Sequence, residues 1–238
     1  MTAEPDEVPD FLADLARRAE KGEDVLLERI GDLEPGSDPR HGAVLVLIAG
    51  SSPQDAAIAL EERGHSLRSQ PGQFALPGGR RDPGDRDDVH TALREAREEI
   101  GLDEQQVRLL GPFAPIPMPW RDLSIRPVLA WAPRRPPVGV VDPVEVERVL
   151  WAPLVGPGSL THRDHRVRAV LDGREFGTAH ELPDDVFVWG FTAMILEAVL
   201  DGLDLPPRAE VDRRREVPSL RRREGSRENR RARPGPPL

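Results

Sequence analysis

Arg94-Glu95-Ala96-Arg97-Glu98-Glu99-Ile100-Gly101-Leu102 is the stretch whose reading decides the fold. At about 100° per residue, Glu95, Glu98 and Glu99 fall within one arc of roughly 100°. Val89, Ala92, Leu93, Ala96 and Ile100 occupy the neighbouring arc. The spacing therefore predicts a helix with an apolar stripe beside a carboxylate face. Asp85, Asp87 and Asp88 precede it, where acids suit a helix N-terminus and its dipole. Gly101 suits the C-terminal stop. Upstream stands Gly79, the last residue of the turn Leu76-Pro77-Gly78-Gly79. Three neighbouring carboxylates repel one another, so this face is costly without counter-charge. Arg94 and Arg97 offset part of it, and the bland reading is a solvated acidic face braced by those two arginines. The third Glu, the leading Arg, the terminal Gly and the upstream Gly-Gly coincide, which favours a metal-binding face. Mg²⁺ and Mn²⁺ take hard oxygen ligands and bridge carboxylates to phosphates.

These residues resemble the Nudix box, with Ala96 in an aliphatic slot, Asp85 in place of the usual Glu and one extra residue between Asp85 and Arg94. The resemblance implies an α/β fold, a Nudix-type α/β/α sandwich with a mixed sheet. The preceding stretch, residues 59–79, resembles the signature of the coenzyme A pyrophosphatase branch: Arg63, Arg68, Gly72, Pro77, Gly78 and Gly79 fill matching slots. A longer box with Asp82 and Asp85 is also the form of that branch. Glu61 stands where Thr is usual, Gly64 where Ser or Ala is usual, Leu76 where Phe is usual and Gln70 where His is often found. Glu145-Val146 leading to Pro153-Leu154, and Val188-Trp189-Gly190-Phe191-Thr192-Ala193, extend the likeness over residues 42–202.

The resemblance implies hydrolysis of CoA or acyl-CoA to 3′,5′-ADP and 4′-phosphopantetheine or its acyl form. Glu95, Glu98 and Glu99, with the Gly79 carbonyl, would hold Mg²⁺ or Mn²⁺. Arg94 would orient the glutamates from behind. The general base is open between Glu98 and Glu145. Arg63 and Arg68, with Gly78 and Gly79, would meet the substrate phosphates, since guanidinium groups grip phosphate in bidentate fashion. Two other readings stay open: a Nudix hydrolase for another nucleoside diphosphate derivative, and a non-catalytic Nudix-fold binding module.

The 238 residues divide into an N-terminal segment (1–30), a hydrolase domain (31–206) and an Arg- and Pro-rich tail (207–238). Phe11, Leu12, Leu15 and Ala19 recur at helical spacing in the first. The tail carries eleven Arg against five acids and few apolar residues, which predicts disorder. There is no Cys, so disulfide and thiolate chemistry are excluded. No apolar run has membrane-spanning length and no signal-peptide pattern opens the chain, so a cytoplasmic protein is expected. The net charge of −9 argues against general nucleic-acid binding. A homodimer is a candidate assembly.

Strands are expected at 43–49, a run apolar enough for burial on both faces, and at 57–61, its hairpin partner. Further strands are expected at 73–76, 107–110, 125–131 and 149–151, with a hairpin at 167–176 and a last helix at 187–200. Residues 112–119 read as a Pro-rich loop on the substrate-side rim, and 133–144 as a second such loop. His162 and His165, with Asp164 between, invite a metal reading but lack a third ligand at fitting spacing, so they read as loop residues. His90 is assigned away from the carboxylates.

Overall fold

A computed structural model describes residues 7–24, 40–67, 70–118 and 121–219. Its elements in chain order begin with α1 (Asp10–Glu20), β1 (Arg40–Ala49), β2 (Ala57–Arg63), β3 (Phe74–Ala75) and β4 (Gly78–Arg80). Next come α2 (Asp88–Ile100), β5 (Arg108–Pro112), β6 (Ile116–Met118), β7 (Leu123–Ala132) and β8 (Val146–Pro153). The last are β9 (Arg166–Leu171), β10 (Arg174–Leu182), β11 (Val186–Val188), α3 (Gly190–Gly202) and β12 (Arg214–Glu216).

The apolar run at 43–49 is a central strand covered on both faces. β1 pairs in parallel with β7 along its length, from Arg40↔Leu123 to Ala49↔Ala132. Its other edge is divided: β4 pairs with Gly42–Val44, and β2 with Ile48 and Ala49. The larger sheet runs β3-β2-β1-β7-β5, with β8 on β2 and β6 on β7. Strand alternation sorts the side chains. Ala43, Leu45 and Leu47, with Val128 and Ala130 of β7, bury the apolar face of α2 through Ala92, Ala96 and Ile100. Val46, Ile48, Leu129 and Trp131 point the other way, onto α1 and α3. The result is the expected α/β/α sandwich.

Three assignments change. Residues 116–118 are strand β6, buried and paired with β7, so this part of the expected rim loop belongs to the sheet. Phe187 and Val188 belong to β11, and α3 starts only after Trp189, whose indole meets Phe176 edge-on at 5.9 Å. The tail is ordered further than its composition suggests: β12 adds in parallel to β9, and Val217 is fully buried. Its arginines find acids and carbonyls that a one-dimensional reading cannot see. Arg213 and Arg215 both reach Glu181, at 2.8 and 2.7 Å, and Arg168 donates to the Val211 carbonyl. Residues 220–238 lie outside the described residues. Among the described residues no helix is long and apolar enough to cross a membrane.

Where the chain returns onto α3 it buries a charged cluster. Arg166 forms a two-pronged pair with Glu197, at 3.2 and 2.7 Å, and Arg208 approaches the same carboxylate and Asp201. His180 is fully buried beside them; its Nδ1–H donates to the Leu160 carbonyl at 3.1 Å and its Nε2 lies 3.4 Å from Glu197. Burial disfavours the imidazolium, and the two arginines already neutralise Glu197, so the His180 pKa falls to about 4. A histidine with a lowered folded pKa stabilises the fold above 6.5, and that contribution fades as pH falls, because only the unfolded chain takes up the proton. Between pH 6.5 and about 4 the loss is expected to be on the order of 3 kcal/mol. Thermal midpoints measured across that window should fall less steeply in His180→Gln; equal slopes would show that other groups set the acid limit.

Candidate active site

The carboxylate helix α2 is held at both ends by the residues that announce it. Asp87 caps the N-terminus by accepting from the His90 N–H at 2.8 Å, and Gly101 closes the C-terminus in the left-handed conformation at φ 69°. Its position over the glycine turn is fixed by Arg94. This guanidinium grips buried Asp85 with two bonds, 3.0 and 3.1 Å, and donates to the Arg80 carbonyl at 3.1 Å. It also holds Glu95 at 2.9 Å and Glu98 at 3.0 Å. Asp85 accepts further bonds from the Thr91 hydroxyl, the Asp82 N–H and His90 Nδ1–H, each 2.9 Å long. The Arg94 fork, aided by those donors, holds the Asp85 carboxyl far below the usual carboxylate range. His90, assigned to the far side of the helix from sequence, thus belongs to this bracket. A bend in the chain brings Asp85 back over the first helical turn, which linear spacing does not reveal.

The three box glutamates occupy graded environments. Glu98 is outermost, its side chain 52% exposed. Glu95 lies against Gly79: a Cβ there would sit 2.4 Å from Glu95 Oε1. Glu99 is buried and accepts the Gly78 N–H at 2.8 Å. Burial and the charge of Glu95 raise the Glu99 pKa to about 7 against that hydrogen bond, and burial raises Glu95 despite Arg94. The two glycines meet this face in different ways. The Gly78 N–H is taken by Glu99, and the Gly79 carbonyl oxygen faces β1, 2.6 Å from where a Cβ on Gly42 would sit. Gly79 contributes room for Glu95.

Arg63 ends β2 beside this face, its Nη1 3.8 Å from Glu61 and 3.9 Å from Glu99. The segment after it folds back, with the Gly72 N–H donating to the Arg63 carbonyl at 2.9 Å. Arg68 lies outside the described residues. The carboxylate of Glu145 is exposed and engages none of the described residues; its backbone does so, the carbonyl accepting the Gly64 N–H at 2.7 Å and the N–H donating to the Asp142 carbonyl at 3.1 Å. His162 and His165 are loop residues before β9, remote in contacts from the box, and His165 Nδ1–H donates to the Glu181 carbonyl.

Sequence reasoning passed over one acid as a mere departure. Glu61 is fully buried on β2, on the same strand face as Ala59, which packs in the α2 core. Its signal was its parity: two residues from Ala59 along a buried strand, an acid must point inward. Burial and the Glu99 charge push its pKa well up. Glu62, on the opposite face, is matched by Arg148 at 2.5 Å and His65 at 3.3 Å.

Comparison with known proteins agrees with the geometry. Residues 39–169 match the NUDIX domain family. The chain is 34% identical to the Nudix hydrolase NudL of Photorhabdus laumondii over 163 residues, 66% of this chain and 81% of that protein. It is 32% identical to NudL of Yersinia pestis over 158 residues, covering 66% and 76%. Among solved structures, a Nudix hydrolase from M. smegmatis, RenU, aligns at 25% identity over 48% of this chain and 70% of its own, with a TM-score of 0.40. A MutT/nudix family protein from Enterococcus faecalis aligns at 20% identity over 72% and 64%, with a TM-score of 0.45. The chain belongs to the Nudix family, and it is a Nudix hydrolase.

Among the described residues no three His, Asp or Glu side chains close around one point as they stand, because Arg94 draws Glu98 outward and Gly78 holds Glu99. The donor set still fits a hard divalent cation: buried carboxyls outnumber the guanidinium groups that face them, and two of their oxygens have no donor. Gly79→Ala tests the packing. The new Cβ displaces the flexible end of Glu95 and leaves the backbone undisturbed. The hydrolase rate is expected to fall about tenfold or more, while stability changes by about 1 kcal/mol or less. An unchanged rate would show that Glu95 is not needed where it stands.

Proposed function

We propose that this protein hydrolyses the diphosphate bond of coenzyme A or acyl-CoA, releasing 3′,5′-ADP and 4′-phosphopantetheine or its acyl form, with Mg²⁺ or Mn²⁺ bound by Glu95, Glu98 and Glu99. The observation that carries the reaction class is the Arg94 bracket, which fixes two of those carboxylates beside the glycine turn. The substrate class rests on the signature from Arg63 to Gly79, whose folded-back course sets Arg63 next to the carboxylates.

A divalent cation held by Glu95, Glu98 and Glu99 would supply charge neutralisation at the diphosphate and a lowered pKa for an attacking water. The side chains do the rest by position. Arg94 keeps Glu95 and Glu98 oriented. Gly79 leaves the space that Glu95 fills. Arg63 offers a guanidinium to a phosphate oxygen at the mouth of the site, where it is still partly exposed. Of the two candidate general bases, Glu98 is favoured: it is solvent-accessible on the carboxylate face, whereas the Glu145 carboxylate projects from its loop without a partner among the described residues.

Incubation with CoA and Mg²⁺ or Mn²⁺, with a chelator control and mass-spectrometric product analysis, is expected to yield 3′,5′-ADP and phosphopantetheine. ADP-ribose, NADH, diadenosine polyphosphates and 8-oxo-dGTP serve as competitors. A preference of more than about tenfold for any of these would overturn the CoA assignment and leave a hydrolase for another nucleotide. Glu98→Gln should reduce turnover on the order of 1000-fold with circular dichroism unchanged. Turnover close to wild type in that variant would remove the metal-box reading.

A further inference from the structure

Glu61 is the one acid at the site that the box does not account for. It is fully buried on β2, where no N–H, hydroxyl or guanidinium donates to either carboxyl oxygen and the polar group it meets is another acid, Glu99. Its surroundings are acidic, with Glu99 and Glu95 both acting on it. The group opposing them is the Arg63 guanidinium, which at 3.8 Å from Glu61 and 3.9 Å from Glu99 is beyond hydrogen-bond reach and shared between the two. The neighbouring residue shows what this strand does with an acid that serves the fold alone: Glu62 receives Arg148 at 2.5 Å and His65 at 3.3 Å. Leaving a buried polar group unsatisfied costs about 1–3 kcal/mol, and more when it is charged. A chain that matches Glu62 with cations and sets Glu61 against a second acid is arranged for something that arrives from outside.

The chemistry of that occupant follows from the donors. Glu61 and Glu99 face one another from different elements, a strand and a helix, with only carboxylate oxygens on offer. Hard oxygen donors of high negative charge select a small divalent cation, and affinity rises with the number of carboxylates. A nucleotide phosphate would be repelled from this position. A thiolate would be repelled in the same way.

We propose that Glu61 is a fourth carboxylate of the cation site, holding with Glu99 a divalent cation between β2 and α2, on the buried side of the box glutamates. The inference rests on reading the α2 carboxylates as cation ligands and adds a ligand from outside the box. It has a consequence for loading: with an extra carboxylate, the protein takes up cation before any substrate phosphate is present.

The test is Mn²⁺ binding to the full chain, freed of metal and without substrate, followed by the electron paramagnetic resonance signal of aqueous Mn²⁺. Wild type is expected to bind, Glu61→Gln to bind at least about tenfold more weakly or to lose one equivalent, and Glu61→Thr to behave as Glu61→Gln. Without metal, Glu61→Gln should melt above wild type, because an unmatched buried carboxyl is gone, and Mn²⁺ should raise its melting temperature less. If both Glu61 variants bind Mn²⁺ within about twofold of wild type while Glu99→Gln does not, Glu61 is no ligand and the box reading stands. Wild type that takes up no Mn²⁺ even at millimolar concentration would overturn both.

Discussion

The Asp85–Arg94 fork is the interaction on which the rest of the site depends. A buried carboxylate and guanidinium are expensive to desolvate, and the pair repays this only when every remaining donor and acceptor is satisfied. Here Thr91, Asp82 and His90 complete Asp85, while the free edges of Arg94 reach Glu95, Glu98 and the Arg80 carbonyl. One side chain thus ties the loop at 80–88 to the helix and aims two carboxylates. Glu99 adds a second tie through the Gly78 N–H. The network is cooperative in the sense that removing one member strands charge on the others.

The protein contains two buried charged clusters with opposite balances. Around Glu197 the guanidinium groups of Arg166 and Arg208 match the acids, and His180 is kept neutral beside them. That cluster is balanced in charge and anchors the returning chain. Around Glu99 the acids exceed the cations, and their pKa values are pushed upward together. An imbalance of this kind is tolerated where a ligand completes it, and such perturbed clusters gather at functional sites. The same physics, applied to two sites, separates a cluster balanced by its own cations from one that is not.

Much of this was legible in one dimension. The α2 boundaries, both caps, the both-faces-covered strand β1 and its partner β2 follow from periodicity and cap chemistry, which act over a few residues. What was misread involved partners distant in sequence. β6 looked like a loop because Pro115 and Pro119 flank it and Pro117 interrupts it, yet pairing with β7 overrides local preference. β12 looked disordered because its segment is apolar-poor, yet the open edge of β9 and the carboxylate of Glu181 were waiting for it. The room that Gly79 leaves for Glu95 is likewise invisible along the chain, because the two meet only when β4 packs on α2.

The sequence by itself determined the class of protein and the inventory of the site: three glutamates on one helical face, a leading arginine, a glycine turn and an arginine at a strand end. Those are matters of spacing along the chain, set by helical and strand periods. Only the tertiary structure decided how the charges divide. Glu61 and Glu62 are adjacent acids on paper, but strand alternation sends one to Arg148 and the other, unmatched, to Glu99. The distances between such groups, and the water excluded from between them, come from packing β2 against α2. The energy of a charge depends on those two quantities, so its role is fixed only once the fold has closed around it.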